Sequence, residues 1–149
     1  MVLDLVRALN ASELQTRLDA IENLTHDPDD ARQKLVAILA EPSFGVRARV
    51  WAMIALIQVG CGTDHAVMSS LILCLDDHSA VVRRSAIDLL GHLKAHGAAS
   101  KIAEHLNDIE PVEGAWFDDD ATPGQAARRF LLMVDSPEAA ALLANADRG

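Results

Sequence analysis

Three histidines, His92, His96 and His105, are the residues whose type and spacing first suggest chemistry in this chain. His92 and His96 stand four positions apart, a spacing that places two metal ligands on one face of a helix. Gly91 and Gly97 flank the pair, and glycine commonly marks the end of a helix, so we do not expect the shared face to persist as far as His96. A zinc site needs three or four converging ligands. We therefore predict no metal site and no bound cofactor.

The cysteines and the acidic triplet give little support for catalysis. Cys61 lies between two glycines, but no histidine or carboxylate stands beside it in the sequence, and Cys74 lies in an apolar run typical of a core. The chain contains no glycine-rich phosphate loop followed by Lys and Ser or Thr. Asp118, Asp119 and Asp120 lack the spacing and the closing glutamate of a calcium-binding EF-hand loop. We expect no catalytic residue, and the chain is interpreted as non-enzymatic.

The bulk composition predicts one helical domain spanning residues 1–149. Half of the residues are hydrophobic but only 3% are aromatic, so Ala, Leu, Val and Ile must fill the core, which suits closely spaced helices. The net charge of −9 disfavours nucleic acid as a partner. No run of about 18 apolar residues predicts a membrane span, and the first residues do not resemble a signal peptide. Two unpaired cysteines indicate a cytoplasmic location, and the excess of Arg over Lys suggests a bacterial source.

Helix-capping residues predict where the elements begin. Asp27 precedes Pro28, and Thr122-Pro123-Gly124-Gln125 has the form of a capping box with proline at the first helical position. Ser12, paired with Gln15, and Ser43 are interpreted as caps of two earlier helices. These signals predict a first helix near 2–10 and four helix pairs, 12–25 with 28–40, 43–59 with 64–75, 79–94 with 98–107, and 123–134 with 137–145.

A recurring segment indicates how these helices are organised. "TRLDAIENLT" begins at Thr16, "VRARVWAMIAL" at Val46 and "VRRSAIDLLG" at Val82, so that Arg17, Arg47 and Arg83 stand 30 and 36 residues apart. A helix-pair unit repeated at this period predicts an all-α solenoid. We expect Arg47 and Arg83 to pair with the carboxylate six residues earlier or with the neighbour in the next repeat, as part of a structural ladder rather than a binding site.

The repeats resemble HEAT repeats of the bacterial type first associated with phycobilisome lyases. The resemblance rests on Val-Arg and Leu-Gly, with Glu41-Pro42 and Asp77 at matching offsets before Val46-Arg47 and Val82-Arg83. It covers about residues 12–145. It implies an α-solenoid (superhelix) of about four antiparallel helix pairs behind an N-terminal capping helix. HEAT-like deoxyhypusine hydroxylases hold iron through His-Glu pairs, and this chain contains no His-Glu dipeptide.

The resemblance also implies a partner-binding face, because the second helices of the pairs line the concave side of such arrays. Its expected residues are Arg32, Gln33, Lys34, Met68, Ser69, Lys101 and His105. Trp116 and Phe117 are expected at one edge, within an acidic loop at about 107–123. That loop carries six carboxylates and no basic residue up to Gly124, which predicts attraction of a cationic protein. The alternative is a solvated loop whose Trp116 folds back onto the helices.

The sequence thus predicts a small bacterial adaptor or regulator that binds another protein. One alternative is an acidic, immunity-like inhibitor of a basic toxin or enzyme, and another is a lyase-accessory or chromophore-handling protein. The helix at 64–75 is apolar on all sides, which we interpret as burial between neighbours, with an open apolar groove as the alternative. The last helix has few charges on its outer side, so self-association through it is a further hypothesis.

Overall fold

The computed structural model describes residues 2–60, 64–112, 116–117 and 119–148. Within these ranges the chain is all-helical, with one leading helix and the predicted succession of further helices. The helices are α1 (Val2–Leu9), α2 (Leu14–Leu24), α3 (Pro28–Leu39), α4 (Val46–Val59), α5 (His65–Cys74), α6 (Ala80–His92), α7 (Ala99–Ala103), α8 (Pro123–Val134) and α9 (Pro137–Arg148). Short 3-10 turns, Pro42–Phe44 and His96–Ala98, precede α4 and α7. None of the described helices combines the length and apolarity needed to cross a bilayer.

Contacts among the helices divide the chain into two compact units, Met1–Leu71 (unit 1) and Ile72–Gly149 (unit 2). In unit 1, α3 packs most extensively on α4, while α1 packs on α3 and α2 on α4. In unit 2, α6 packs on α8, and α7 packs on α9. Packing of α1 on α3, α2 on α4, α6 on α8 and α7 on α9 is the stacking expected of an α-solenoid, so the predicted fold class is confirmed. A single repeat domain over residues 1–149 stays a prediction.

Aliphatic side chains of modest size fill the interior of each unit, as the composition predicts. Alanines of α4 are among the fully buried residues, and Phe130 of α8 is a buried aromatic. The largest fully buried side chains include Leu9, Leu35, Ile38 and Leu56 in unit 1, and Ile87, Leu90, Ile102 and Leu131 in unit 2. Small side chains let helix axes approach closely, which suits the packing of alternate helices.

Two of the predicted caps are wrong. Helix α2 begins after Glu13, which makes no side-chain capping bond, and Gln15 donates its side-chain amide to a carboxylate further along α2. Helix α4 begins after Gly45, whose φ of +93° suits glycine. The Glu41 carboxylate accepts bonds from the amide and the hydroxyl of Ser43, and these bonds lower the pKa of Glu41. Ser43 is therefore held in the preceding 3-10 turn and cannot cap α4.

The two predicted caps that stand directly before a proline are confirmed. Asp27 accepts a bond from the amide of Asp30 at 3.2 Å and opens α3 at Pro28. Thr122 and Gln125 form both bonds of the capping box that opens α8. Proline has no amide hydrogen that would stay unbonded at the first helical position. The capping side chain and the proline therefore both specify each of these helix starts.

Helix α5 is not buried on all sides, so the interpretation that it lies between neighbours is wrong. Val67, Leu71 and Cys74 are buried, but the side of Leu73 is open, with this residue 73% exposed. The apolar residues of α5 therefore fill one packed side and also extend onto the surface.

Candidate partner-binding surface

Arg83 joins the start of α6 to the segment after α7. Its Nη1 donates to the carbonyls of Asp77 at 2.8 Å and His78 at 3.0 Å. Its Nε donates to Asp108 at 2.8 Å, and its Nη2 donates to Glu110. These bonds fix the segment after α7 to the start of α6. The side chain of Arg83 is mostly buried, so it is not available to a partner.

Arg17 and Arg47 make comparable bonds in unit 1. Arg17 donates to the carbonyl of Ala11, six residues earlier, and its guanidinium lies 4.7 Å from the centre of the Trp51 ring. Arg47 donates to the carbonyl of Asn10 at 3.0 Å. Carbonyls at helix ends lack intrahelical partners, and these arginines supply them. The repeated arginines thus act structurally: each donates to a backbone carbonyl, and Arg83 also binds the carboxylates of Asp108 and Glu110.

The nine residues predicted to bind a partner are divided between the two units. Arg32, Gln33, Lys34, Met68 and Ser69 belong to unit 1, whereas Lys101, His105, Trp116 and Phe117 belong to unit 2.

On α3, only part of the predicted set is available to a partner. Arg32 donates to the carbonyl of Gly60 at 3.0 Å and lies 3.7 Å from the Asp64 carboxylate, so it closes the end of α4. Lys34 pairs with an aspartate one turn earlier at 2.8 Å, and Gln33 is exposed. Gln33 and Lys34 lie on the surface, while Arg32 has a structural role.

Helix α5 presents its exposed side through residues four apart. Ser69 is exposed and Met68 is half-buried. Leu73 follows Ser69 by one turn and is the most exposed large apolar side chain of the helix. The residue pattern predicts Met68 and Ser69 at this surface but not Leu73. The available signal was that α5 has more apolar residues than one stripe can hold.

His105 lies between two carboxylates in unit 2. Its Nε2 is 3.5 Å from Asp76 and its Nδ1 is 3.9 Å from Asp108, and its side chain is largely buried. Asp76 comes three residues after Leu73, and Lys101 lies one turn before His105. The contact between His105 and Asp76 brings the turn after α5 beside the turn after α7. We call Leu73, Asp76, Lys101 and His105 the Leu73 face.

Trp116 and Phe117 are both half-buried, so the predicted aromatic edge is only partly accessible. The guanidinium of Arg84 lies 3.8 Å from the centre of the Phe117 ring. The same group donates to the carbonyls of Asp119 and Ala121, each at 3.1 Å. Phe117 is thus held against α6. Residues 113–115 and 118 of the predicted loop lie outside the described residues.

Carboxylates of this loop are paired with arginines of the same unit. Burial would raise the pKa of Asp108, but bonds from Arg83 and from the Glu110 amide outweigh it, and the pKa is lowered. The pKa of Asp119 is lowered by bonds from the Ala121 amide and the Arg129 side chain. Neutralisation by Arg83, Arg84 and Arg129 weakens the predicted attraction of this loop for a cationic protein.

A cleft of about 330 Å³ lies between α6 and α8. Its lining includes Ile87, Asp88 and Gly91 from α6, and Arg129, Phe130 and Met133 from α8. Partial burial raises the pKa of Asp88, although Arg84 beside it acts in the opposite direction. Since Asp88 and Arg129 each have an intramolecular partner, the cleft suits an apolar side chain better than a reaction. The sequence pattern does not predict this cleft.

The histidines do not form a metal site in the described part of the chain. His92 lies in the last turn of α6 and His96 begins the next 3-10 turn, with Lys94 at φ +54° between them. Across the described ranges, no three His, Cys, Asp or Glu side chains converge as metal ligands. Cys74 is buried, and Cys61 lies outside the described residues.

Comparison with known families supports the repeat assignment over part of the chain. Residues 62–90 match the family model described as the HEAT repeat associated with sister chromatid cohesion. This segment contains α5 and most of α6, including the Val82-Arg83 motif. No curated protein matches the chain. The match supports a HEAT repeat here, without indicating a phycobilisome-lyase type.

Proposed function

We propose that this chain is a non-enzymatic protein-interaction scaffold that binds a partner protein on the Leu73 face of unit 2. The observation that carries the proposal is Leu73, which is 73% exposed on a helix inside the matched HEAT segment. Helical repeats commonly bind other proteins on their extended surfaces. A leucine that is left in water on such a helix gains free energy when a partner covers it.

The surroundings of Leu73 have the composition of a small binding site. The side chain of Asp76 is 76% exposed and that of Lys101 is 59% exposed, so both charges of the Leu73 face remain in water. An apolar centre with a polar rim is the usual anatomy of a protein interface. Asp76 favours a partner that places a basic residue next to its own apolar anchor.

The test compares two leucines of similar exposure. Leu73→Glu places a charge in the proposed anchor site, and Leu132→Glu does the same on α8, where the leucine is 62% exposed. Proteins captured by the full chain are identified by crosslinking and mass spectrometry, and the affinity is then measured with the purified partner. We expect Leu73→Glu to weaken binding at least about tenfold, the effect of losing an anchor residue.

The control fixes the interpretation of this experiment. Leu132→Glu should leave the affinity within about twofold of wild type, because α8 is not part of the proposed face. Equal weakening by both variants, or weakening by Leu132→Glu alone, would show that Leu73 is not the anchor.

The finer role that we propose is that of a small cytoplasmic adaptor in a bacterium, with a cationic protein as partner. The net charge of −9 supports a cationic partner through electrostatic steering. The same charge supports a second candidate, an immunity-like inhibitor of a basic enzyme. An inhibitor differs from an adaptor in one measurable way: the purified chain would reduce the catalytic rate of its partner enzyme.

A further inference from the structure

Helix α2 of unit 1 leaves most of its apolar stripe uncovered. Leu14, Leu18 and Ile21 share one side of the helix, at the spacing that normally faces a core. Only Ile21 is buried, whereas Leu14 is 51% and Leu18 is 43% exposed. Two leucines one turn apart therefore form an apolar ridge in water.

Acidic side chains line this ridge. Glu22 follows Leu18 by four residues and so continues along the same side of the helix. Glu13, Asp19 and Glu22 are all exposed, and none of them forms an ion pair with Arg or Lys in the part of the chain that the structure describes. Asp19 accepts a bond only from the neutral amide of Gln15, at 2.7 Å. The three negative charges consequently remain uncompensated.

The basic residue of α2 does not neutralise them. Arg17 packs over the Trp51 ring of α4 and donates to a backbone carbonyl. Its Nε is buried, with no hydrogen-bond partner among the described residues. The excess of negative charge extends along the chain on both sides of α2, because residues 2–30 contain seven carboxylates and two arginines. The surface is therefore both apolar and strongly acidic.

We infer that Glu13, Leu14, Leu18, Asp19 and Glu22, together the α2 surface, dock a basic amphipathic helix of another protein. The leucine ridge offers burial to apolar residues of that helix, and the carboxylates select lysines or arginines beside them. An anionic lipid surface or nucleic acid would meet like charge here and be repelled. The α2 surface belongs to unit 1, so this inference does not depend on the Leu73 face.

A second copy of this chain fits the α2 surface less well. The exposed basic and apolar residues of α8 include Arg128, Arg129 and Leu132, which in isolation resemble the helix that we infer. Both arginines are already paired with aspartates of their own unit. Two chains that each carry −9 also repel one another. A separate basic protein has neither disadvantage.

The test uses a synthetic helical peptide of about 15 residues with leucine on one side and lysine on the other, a length that allows a stable helix. Binding to the full chain is measured by fluorescence anisotropy, and the contact is located by shifts of backbone amide signals in NMR. Leu14→Ser with Leu18→Ser removes the ridge, and Asp19→Lys with Glu22→Lys reverses the charge. We expect each double variant to weaken binding at least about tenfold.

A matched control changes exposed apolar residues elsewhere. Leu132→Ser with Met133→Ser alters side chains that are 62% and 52% exposed on α8, and it should change the affinity less than about twofold. A leucine–glutamate peptide with the same pattern should not bind. Circular dichroism should show unchanged helicity in all variants, because every substituted residue is exposed. If the serine variant fails to fold, the charge reversal still tests the site.

Several results would overturn the inference. The peptide could bind both α2 variants as tightly as wild type, or shift amide signals of α5 or α8 instead of those at residues 13–24. A scrambled leucine–lysine peptide that binds equally well would show simple charge attraction. Self-association of the chain that Leu14→Ser with Leu18→Ser abolishes would identify a second copy as the occupant.

Discussion

Arg84 shows how one buried guanidinium can hold a loop in place. Its side chain is 5% exposed and lies 3.3 Å from Asp88 and 2.9 Å from a carboxylate oxygen of Asp119. It also donates to the carbonyl of Ala121 and lies over the ring of Phe117. If the guanidinium were removed, its acceptors would lose their donor. The side chains of Asp88 and Asp119 are 42% and 49% exposed, so water can replace part of what they lose.

We predict that Arg84→Met lowers the free energy of unfolding by about 1–2 kcal/mol, the cost of losing hydrogen bonds and a cation–π contact made by a buried guanidinium. Arg129→Met removes an arginine that also binds Asp119 but is 51% exposed, and it should cost less than about 1 kcal/mol. Urea unfolding followed by tryptophan fluorescence and by circular dichroism measures both values. Similar losses in the two variants would mean that burial of Arg84 does not set its contribution.

At the scale of elements, Gly124 fixes how closely α8 approaches the segment after α7. Its amide donates to the carbonyl of Asp108 at 2.8 Å. An added Cβ would lie 2.7 Å from the carbonyl oxygen of Leu106 and 2.8 Å from that of Asp108. These are backbone atoms, so the clash cannot be relieved by turning a side chain. The sequence pattern predicts Gly124 only as part of a capping box and does not predict this close approach.

We predict that Gly124→Ala destabilises the chain by about 1–3 kcal/mol, the typical cost of overpacking. Gly91→Ala is the matched control, because its added Cβ would meet side-chain atoms of Phe130 at 3.5 Å and Met133 at 3.6 Å, which is ordinary contact. Since Gly91 lies inside α6, alanine should be neutral or slightly stabilising there. Thermal unfolding of both variants checks the difference. A Gly124→Ala variant as stable as Gly91→Ala would show that α8 can shift freely.

Most elements could be predicted from the sequence where a start signal is local. Asp27-Pro28 and the Thr122–Gln125 box open helices at the predicted positions because their bonds involve only neighbouring residues. Ser43 fails because Glu41 competes for it, and α7 ends at Ala103, several residues before the predicted end near 107. Competition between local bonds cannot be decided from residue types alone.

The candidate surfaces were harder to predict, because exposure depends on which neighbour is present. The stripe of α2 has the same spacing as that of a buried helix, yet Leu14 and Leu18 lie in water. Leu73 belongs to an apolar run that indicates burial, yet it is the most exposed leucine of α5. Phe117 was expected at an accessible edge, but Arg84, far away in sequence, packs over its ring. Each departure reflects tertiary packing that periodicity does not encode.

At the scale of the whole molecule, the net charge of −9 is distributed over carboxylates with different environments. Hydrogen bonds lower the pKa values of Asp119 and Asp147, and the bonds that Asp108 receives outweigh its partial burial and lower its pKa too. Asp88 behaves oppositely, because partial burial raises its pKa. The folded chain therefore resists protonation at three of these sites and favours it at the fourth.

These directions predict the stability of the chain in acid. Where the folded pKa is lowered, the unfolded chain binds the proton more readily, so the free energy of unfolding falls as the pH decreases from about 5 to about 3. Asp108→Asn removes one such site and should flatten this fall. Asp88→Asn should steepen it, because a raised folded pKa contributes stability that is present in acid and lost as the pH rises. Urea unfolding at several pH values gives the free energy of unfolding as a function of pH for each variant. The slope of this dependence reports the protons taken up on unfolding, even where the substitution also changes the absolute stability. Slopes that change in the same direction in both variants would contradict the assignment of opposite environments to the two aspartates.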